Sequence, residues 1–254
     1  MIPKKIHYCW FGGKPLPQLA KNCIESWKKN LPDYDIIEWN ESNFDINCCE
    51  YVKESYQAKK WAFVSDYARL QILYNEGGIY FDTDVKIIRP FDDIIEAGNF
   101  MAMELPSATI NLGLGFGVEK NSFFLQDMLE MYRKENFVLA DGTYNQKTIV
   151  QNVTEKLLAQ GLKQENTIQN IAGFTLYPTD YFCPYNYQNN TINITKNTCC
   201  IHLYDGSWLE GNPVEVKARQ TYILWGYRNI VTKLFHKIYV KLLTVFYTLK
   251  EHNK

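Results

Sequence analysis

The chain has 254 residues, 46% of them hydrophobic and 22% charged. That balance describes one globular, catalytic-sized unit and excludes a disordered or fibrous chain. A formal net charge of −1 leaves no basic footprint for whole-protein binding to phosphate backbones, so nucleic acid is not an expected partner.

In chain order, the apolar run 6 to 11, ended by Gly12 and Gly13, predicts a buried strand delivering side chains to a loop. A helix over 17 to 30 and a strand over 35 to 39 follow, a β-α-β opening typical of a sheet covered by helices. From 61 to 75 apolar residues wrap so widely that the predicted helix is buried on several sides. Gly77 and Gly78 stop it. A strand over 79 to 88 is then interrupted by Asp82 and Asp84, where β-propensity favours apolar residues.

Strands over 100 to 105 and 110 to 118, helices over 122 to 135 and 144 to 160, and short aromatic strands over 174 to 204 complete an α/β pattern with a mostly parallel sheet. Residues 1 to 218 form the expected catalytic domain. From 219 to 254 the composition changes: seven Lys and Arg face the single acid Glu251, and apolar residues recur at helical spacing. This is a basic amphipathic helical tail, either packed on its own domain or lying on an anionic membrane.

Seven cysteines without any C-x-x-C spacing fit free thiols in a reducing compartment. The amino terminus is too polar for a signal peptide, and no apolar run approaches the roughly 18 to 20 residues that span a bilayer. A cytoplasmic location is expected, with the tail allowing contact at the inner face of the plasma membrane.

The chemistry concentrates at Asp82-Thr83-Asp84. Residues two apart on a strand share a face, so both carboxylates would point the same way and repel. A divalent cation removes that cost; hard oxygen ligands suit Mg²⁺ or Mn²⁺, which bind through one or two carboxylates plus substrate phosphates. Three letters alone are a weak signal. The surrounding block Ser65-Asp66, Arg69, Gly77-Gly78, Tyr80, Asp82-Thr83-Asp84 is far more specific. It resembles glycosyltransferase family 32, the capsular-polysaccharide and mannosyltransferase-like sugar transferases, and is similar to the catalytic domains of the clostridial glucosylating toxins.

The resemblance covers residues 2 to about 90 and reappears at 202 to 208. It implies a GT-A-like fold, a nucleotide-sugar donor and a divalent cation held by Asp82 and Asp84. Asp66 and Arg69, three apart and so on one helical face, would contact the donor sugar; the plainer reading of that spacing is an intrahelical ion pair. Trp10 would stack on the donor base, with Tyr80 beside the nucleoside, whereas His7 reads as a structural hydrogen-bonding residue. His202 would complete the metal site, with Asp205 as a competitor, and Ser207 and Trp208 would donate to the diphosphate. Asn111, in a glycine-rich run from 110 to 117, is a weaker candidate for the donor sugar.

The reading is a metal-dependent hexosyltransferase moving a sugar from a nucleotide sugar, with UDP-sugars favoured, to a saccharide or lipid-linked acceptor in surface or capsular polysaccharide synthesis. The resemblance implies retention at the anomeric carbon. Two other classes remain open. A metal-dependent phosphohydrolase could use the paired aspartates but would need further ligands or an activated nucleophile. A noncatalytic sugar-binding module would not require both carboxylates.

Overall fold

The computed structural model of the chain describes residues 1–106, 108–189, 191–206, 213–226, 236 and 238–243. The elements are β1 (Lys5–Cys9), α1 (Gln18–Asn30), β2 (Asp35–Trp39), α2 (Glu50–Gln57), α3 (Trp61–Glu76), β3 (Gly78–Tyr80), β4 (Val85–Ile87) and α4 (Asp92–Glu96). After them come β5 (Phe100–Glu104), β6 (Thr109–Ile110), β7 (Phe116–Val118), α5 (Phe123–Arg133), α6 (Ile149–Leu158), β8 (Gln169–Ile171), β9 (Phe174–Tyr177) and α7 (Thr179–Phe182). The last are β10 (Tyr185–Asn186), β11 (Thr191–Ile192), β12 (Cys200–His202) and α8 (Pro213–Gly226).

An eight-stranded sheet runs in the order β2-β1-β3-β7-β5-β9-β8, with β6 paired to β5. The pairs β1–β2, β1–β3 and β5–β9 are parallel, while β7, β6 and β8 run against their neighbours. Five strands therefore share one direction, giving the mostly parallel α/β sheet expected from the alternating pattern. Side chains alternate across it: Ile6, Tyr8, Ile79, Phe100 and Ala102 belong to one apolar cluster, and Cys9, Tyr80, Met101 and Met103 to the other. Each sheet face is thus covered by its own core.

α3 buries Val64, Tyr67, Ala68, Leu70, Ile72 and Leu73, which explains why its apolar residues wrap around more than one face. It ends because Gly77 takes φ 63° and Gly78 φ 103°. A Cβ at Gly78 would lie 2.7 Å from the Lys5 carbonyl, so only glycine lets β3 lie this close to β1. His7, 0% exposed, meets the Gly77 carbonyl through Nε2 at 2.9 Å and accepts from the Trp39 indole through Nδ1 at 3.0 Å.

Two expected strands are broken. The segment 79 to 88 divides into β3, in the large sheet, and β4, which among the described residues pairs only with β12. Between them residues 82 to 85 form a turn closed by Val85 N–H donating to the Asp82 carbonyl at 3.1 Å. Asp82 and Asp84 therefore sit on a turn, and strand alternation does not decide where they point. The segment 110 to 118 likewise becomes β6, a loop and β7, both running antiparallel to β5. α2 carries no strong sequence signal of its own and was not expected.

All seven cysteines are free. Of the basic tail, the structure describes residues 219–226, 236 and 238–243; Arg228, Lys233, Lys237, Lys250 and Lys254 lie outside the described residues. α8 begins before residue 219 and seats Ile223, 0% exposed, in the core. Among the described residues no helix is long and apolar enough to cross a membrane.

Candidate functional site

Strand direction assembles the site. β1, β2, β3 and β5 run the same way, so their carboxyl ends, leading to Trp10, Asn40, Asp82 and Glu104, emerge at one edge of the sheet. β7 runs the other way, which brings the 111–115 loop before it to the same edge, opposite Tyr80. β9 ends there too, and α7 then delivers Cys183. Ligands of open α/β sheets bind at such an edge.

The acidic turn is held from both sides. β12 pairs with β4 so that His202 lies opposite Val85, and Leu203 N–H donates to the Asp84 carbonyl at 3.0 Å. The other edge of β4 is satisfied by α1: the Trp27 indole donates to the Val85 carbonyl at 2.7 Å, and Ser26 and Asn30 bond the backbone of Ile87. Those contacts replace a missing strand, since buried backbone polar groups must find partners. They fix Asp84 against His202, with Oδ2 3.2 Å from Nε2. The Asp205 backbone N–H donates to the same oxygen at 2.8 Å.

Burial alone would raise the Asp84 pKa, but His202 and that backbone donor outweigh it and lower it. For His202, burial pulls the imidazole down, yet Asp84 outweighs it and holds the pKa well above the ordinary 6.5. Asp205 accepts from Gln220 of α8 at 2.7 Å, and burial raises its own pKa.

Asp82 is the more open carboxylate, its side chain 34% exposed. Its N–H donates to the Gly113 carbonyl at 2.8 Å, and Oδ1 lies 3.2 Å from Arg69 Nη1. The guanidinium also meets Asp66 Oδ1 at 3.2 Å through Nη2, donates through Nε to the Ser65 carbonyl, and lies over the Tyr80 ring at 4.6 Å. Asp66 in turn accepts the Ile149 N–H, at the start of α6, at 3.0 Å. Asp66 and Arg69 are 6% and 4% exposed. The plainer reading of their spacing, an ion pair, is present, and it continues to Asp82.

Of the other expected residues, Trp10 is half-buried, its indole N–H donating to the Lys14 carbonyl at 2.6 Å. Tyr80 is 1% exposed and lies beneath Arg69, so its ring is covered on that side. Asn111 accepts from Gly113 N–H at 2.9 Å and donates to Glu104 at 3.0 Å; it shapes the loop beside Asp82. Ser207 and Trp208 lie outside the described residues. Two neighbours escaped sequence reasoning, Glu104 and Cys183, while Gly113 belongs to the glycine-rich run already singled out. Glu104 left a faint signal, an acid closing an apolar strand; Cys183 left none.

The acidic D-x-D turn thus lies at the carboxyl edge of a mostly parallel α/β sheet. Residues 17–101 match the family described as glycosyltransferase sugar-binding region containing DXD motif. The match includes Asp66, Arg69, Tyr80, Asp82 and Asp84 but not Trp10, Asn111 or His202.

The chain is 30% identical over 123 residues to subversion of eukaryotic traffic protein A of Legionella pneumophila, covering 38% of this chain and 19% of that protein. It is 30% identical over 133 residues to inositol phosphoceramide mannosyltransferase 3 of Schizosaccharomyces pombe, covering 49% and 36%. The chain thus spans about a fifth to about a third of the length of these curated relatives. Among solved structures, the PaToxG glycosyltransferase is similar at TM-score 0.46 and 20% identity, covering 63% of this chain and 72% of that one.

Proposed function

We propose that the chain is a divalent-metal-dependent glycosyltransferase that moves a hexose from a nucleotide sugar to a saccharide or lipid-linked acceptor. The observation that carries this reading is Asp84 bound to His202 at 3.2 Å on the same turn as the open carboxylate of Asp82. Two carboxylates and an imidazole are a donor set suited to Mn²⁺ or Mg²⁺. The fit is supported by Gly113: a Cβ there would collide with Asp82, so the loop leaves that carboxylate its place. Asp82, Asp84 and His202 would hold the cation, which when bound neutralises charge developing on the departing diphosphate.

The remaining roles follow from the chain's own contacts. Arg69, anchored by Asp66 to the start of α6, holds the Asp82 carboxylate in place. Trp10, whose indole N–H is already engaged, offers a ring face for stacking on the donor base. Ser207 and Trp208 remain proposed diphosphate donors, and retention with front-face attack remains the proposed stereochemistry.

UDP-hexoses are the favoured donors, and the mannosyl transfer in a relative's name makes nucleotide-linked mannose their first competitor. α8 packs on the catalytic domain, and the part of the basic tail that follows it is proposed to rest on the inner face of the plasma membrane during capsular or surface polysaccharide synthesis. Exposed Ile238 and Leu242, one helical turn apart, and the excess of Lys and Arg support that placement.

The test is a nucleotide-sugar panel assayed for transfer with Mn²⁺ and with chelator. One donor should be turned over only with the metal, and Asp84→Asn should lower the rate roughly 100- to 1000-fold, the scale of losing transition-state charge stabilisation. Its thermal midpoint should stay close to wild type, because the amide oxygen still accepts from His202 and Asp205. Full transfer in chelator, or by Asp84→Asn, sinks the reading.

A further inference from the structure

Behind the acidic turn lies a second set of metal-ligating groups, of which the proposed reaction uses only His202. Glu104 at the end of β5, Cys183 at the end of α7 and His202 on β12 each bring a ligand atom within 4.8 Å of the others. Cys183 is 0% exposed, and the His202 side chain is 11% exposed. The imidazole is divided: Nε2 is engaged with Asp84 at 3.2 Å, while Nδ1 is buried without a hydrogen-bond partner. A buried ring nitrogen without a partner costs free energy whether it presents an N–H or a lone pair.

We propose that Glu104, Cys183 and His202 form a zinc site, with Nδ1 as the nitrogen ligand and a fourth position left open. Thiolate, imidazole and carboxylate are the zinc ligand set, and thiolate disfavours Mg²⁺ and Mn²⁺. Ligand atoms around tetrahedral zinc stand roughly 3.5 Å apart. The three ligand atoms, within 4.8 Å of one another, draw inward onto the ion. Asp84 already supplies the outer contact that zinc-bound histidines need, a carboxylate accepting the other ring N–H. Binding releases the protons on Cys183 Sγ and His202 Nδ1 to solvent; no electron moves. A zinc-bound His202 has Nδ1 on zinc and its Nε2 proton on Asp84, so the imidazole no longer serves the cation of the acidic turn. On the glycosyltransferase reading above, zinc is an inhibitor.

The test uses the full-length, metal-stripped protein with Co²⁺ and Zn²⁺ as probes. Wild type should bind one equivalent of Zn²⁺ in competition with a chromophoric chelator, and Co²⁺ should produce a thiolate-to-cobalt charge-transfer band. Cys183→Ser should abolish the band and weaken zinc at least 100-fold. Glu104→Gln, at a half-buried position, should weaken it at least 10-fold with the band retained, which guards against misfolding of the cysteine variant. Asp82→Asn, which breaks the proposed catalytic site alone, should keep both zinc and band. Zinc should inhibit Mn²⁺-supported transfer in wild type but not in Cys183→Ser, each relative to its own zinc-free rate. A band that survives Cys183→Ser, or zinc lost in Asp82→Asn and kept in Cys183→Ser, overturns the site and leaves the glycosyltransferase reading standing.

Discussion

Gly113 and Asp82 fit together with no room between them: a Cβ at residue 113 would stand 1.8 Å from Asp82 Oδ2, while the Gly113 carbonyl accepts the Asp82 N–H at 2.8 Å. The glycine backbone here is not in the left-handed region, so alanine is conformationally allowed and the conflict is purely one of space. Gly113→Ala should fold, because the obstructed carboxylate is 34% exposed and can swing outward. It should nonetheless lose transfer by roughly 100-fold, the scale of a misplaced catalytic group. Paired Mn²⁺ titration and kcat/KM measurements check this, and a variant within twofold of wild type would dissociate Asp82 from the chemistry.

How far the sequence carries depends on how local each signal is. β2 follows its predicted span residue for residue, because a short apolar run between turn residues needs no long-range information. The acidic turn was misread because β-propensity around Asp82 and Asp84 is high on both sides. What breaks the strand is tertiary: β4 leaves the large sheet to pair with β12, some 115 residues away in sequence, and α1 satisfies its other edge. Asp66 shows the same limit. Its spacing from Arg69 was legible, but its bond to Ile149 N–H joins α3 to α6 across 83 residues. Glu104 and Cys183 meet His202 only because β5, α7 and β12 end at one edge.

Trp10 tests the base-stacking role. Its indole N–H is committed to the Lys14 carbonyl, which fixes the ring plane without help from a ligand. Base–aromatic stacking is worth roughly 1 to 3 kcal/mol, so Trp10→Ala should raise KM for the donor by about 5- to 150-fold. Trp10→Phe, which keeps a ring face, should recover most of that loss. Equal KM in wild type and the alanine variant would leave Trp10 a packing residue beside Lys14.

Arg69 is the charge on which two carboxylates depend. Replacing it by methionine keeps much of the side-chain volume but leaves Asp66 buried without its partner. Breaking such a pair costs about 3 to 5 kcal/mol, and the lower end applies here because Asp82 is partly solvated. In urea unfolding, Asp66→Asn combined with Arg69→Met should recover about 1 kcal/mol or more of that loss. Additive effects of the two substitutions would mean that the 3.2 Å contact contributes no coupling.

Asp66 also makes stability depend on pH in an unusual direction. Burial pushes its pKa from 3.8 to about 6, with Arg69 and the Ile149 N–H opposing the shift incompletely. The folded state therefore holds a proton, between pH 4 and 6, that the unfolded chain has already released. Stability contributed by this group is complete below the unfolded pKa, falls as pH rises through that window, and is flat above it. A shift of about two units corresponds to about 2 to 3 kcal/mol. Asp66→Asn lacks the titration, so the stability of wild type relative to this variant should drop by about that amount between pH 4 and pH 6.5, measured by urea unfolding without metal or donor. A wild type that instead gains on Asp66→Asn over that range would show Arg69 outweighing burial, with the folded carboxyl more acidic than the free side chain.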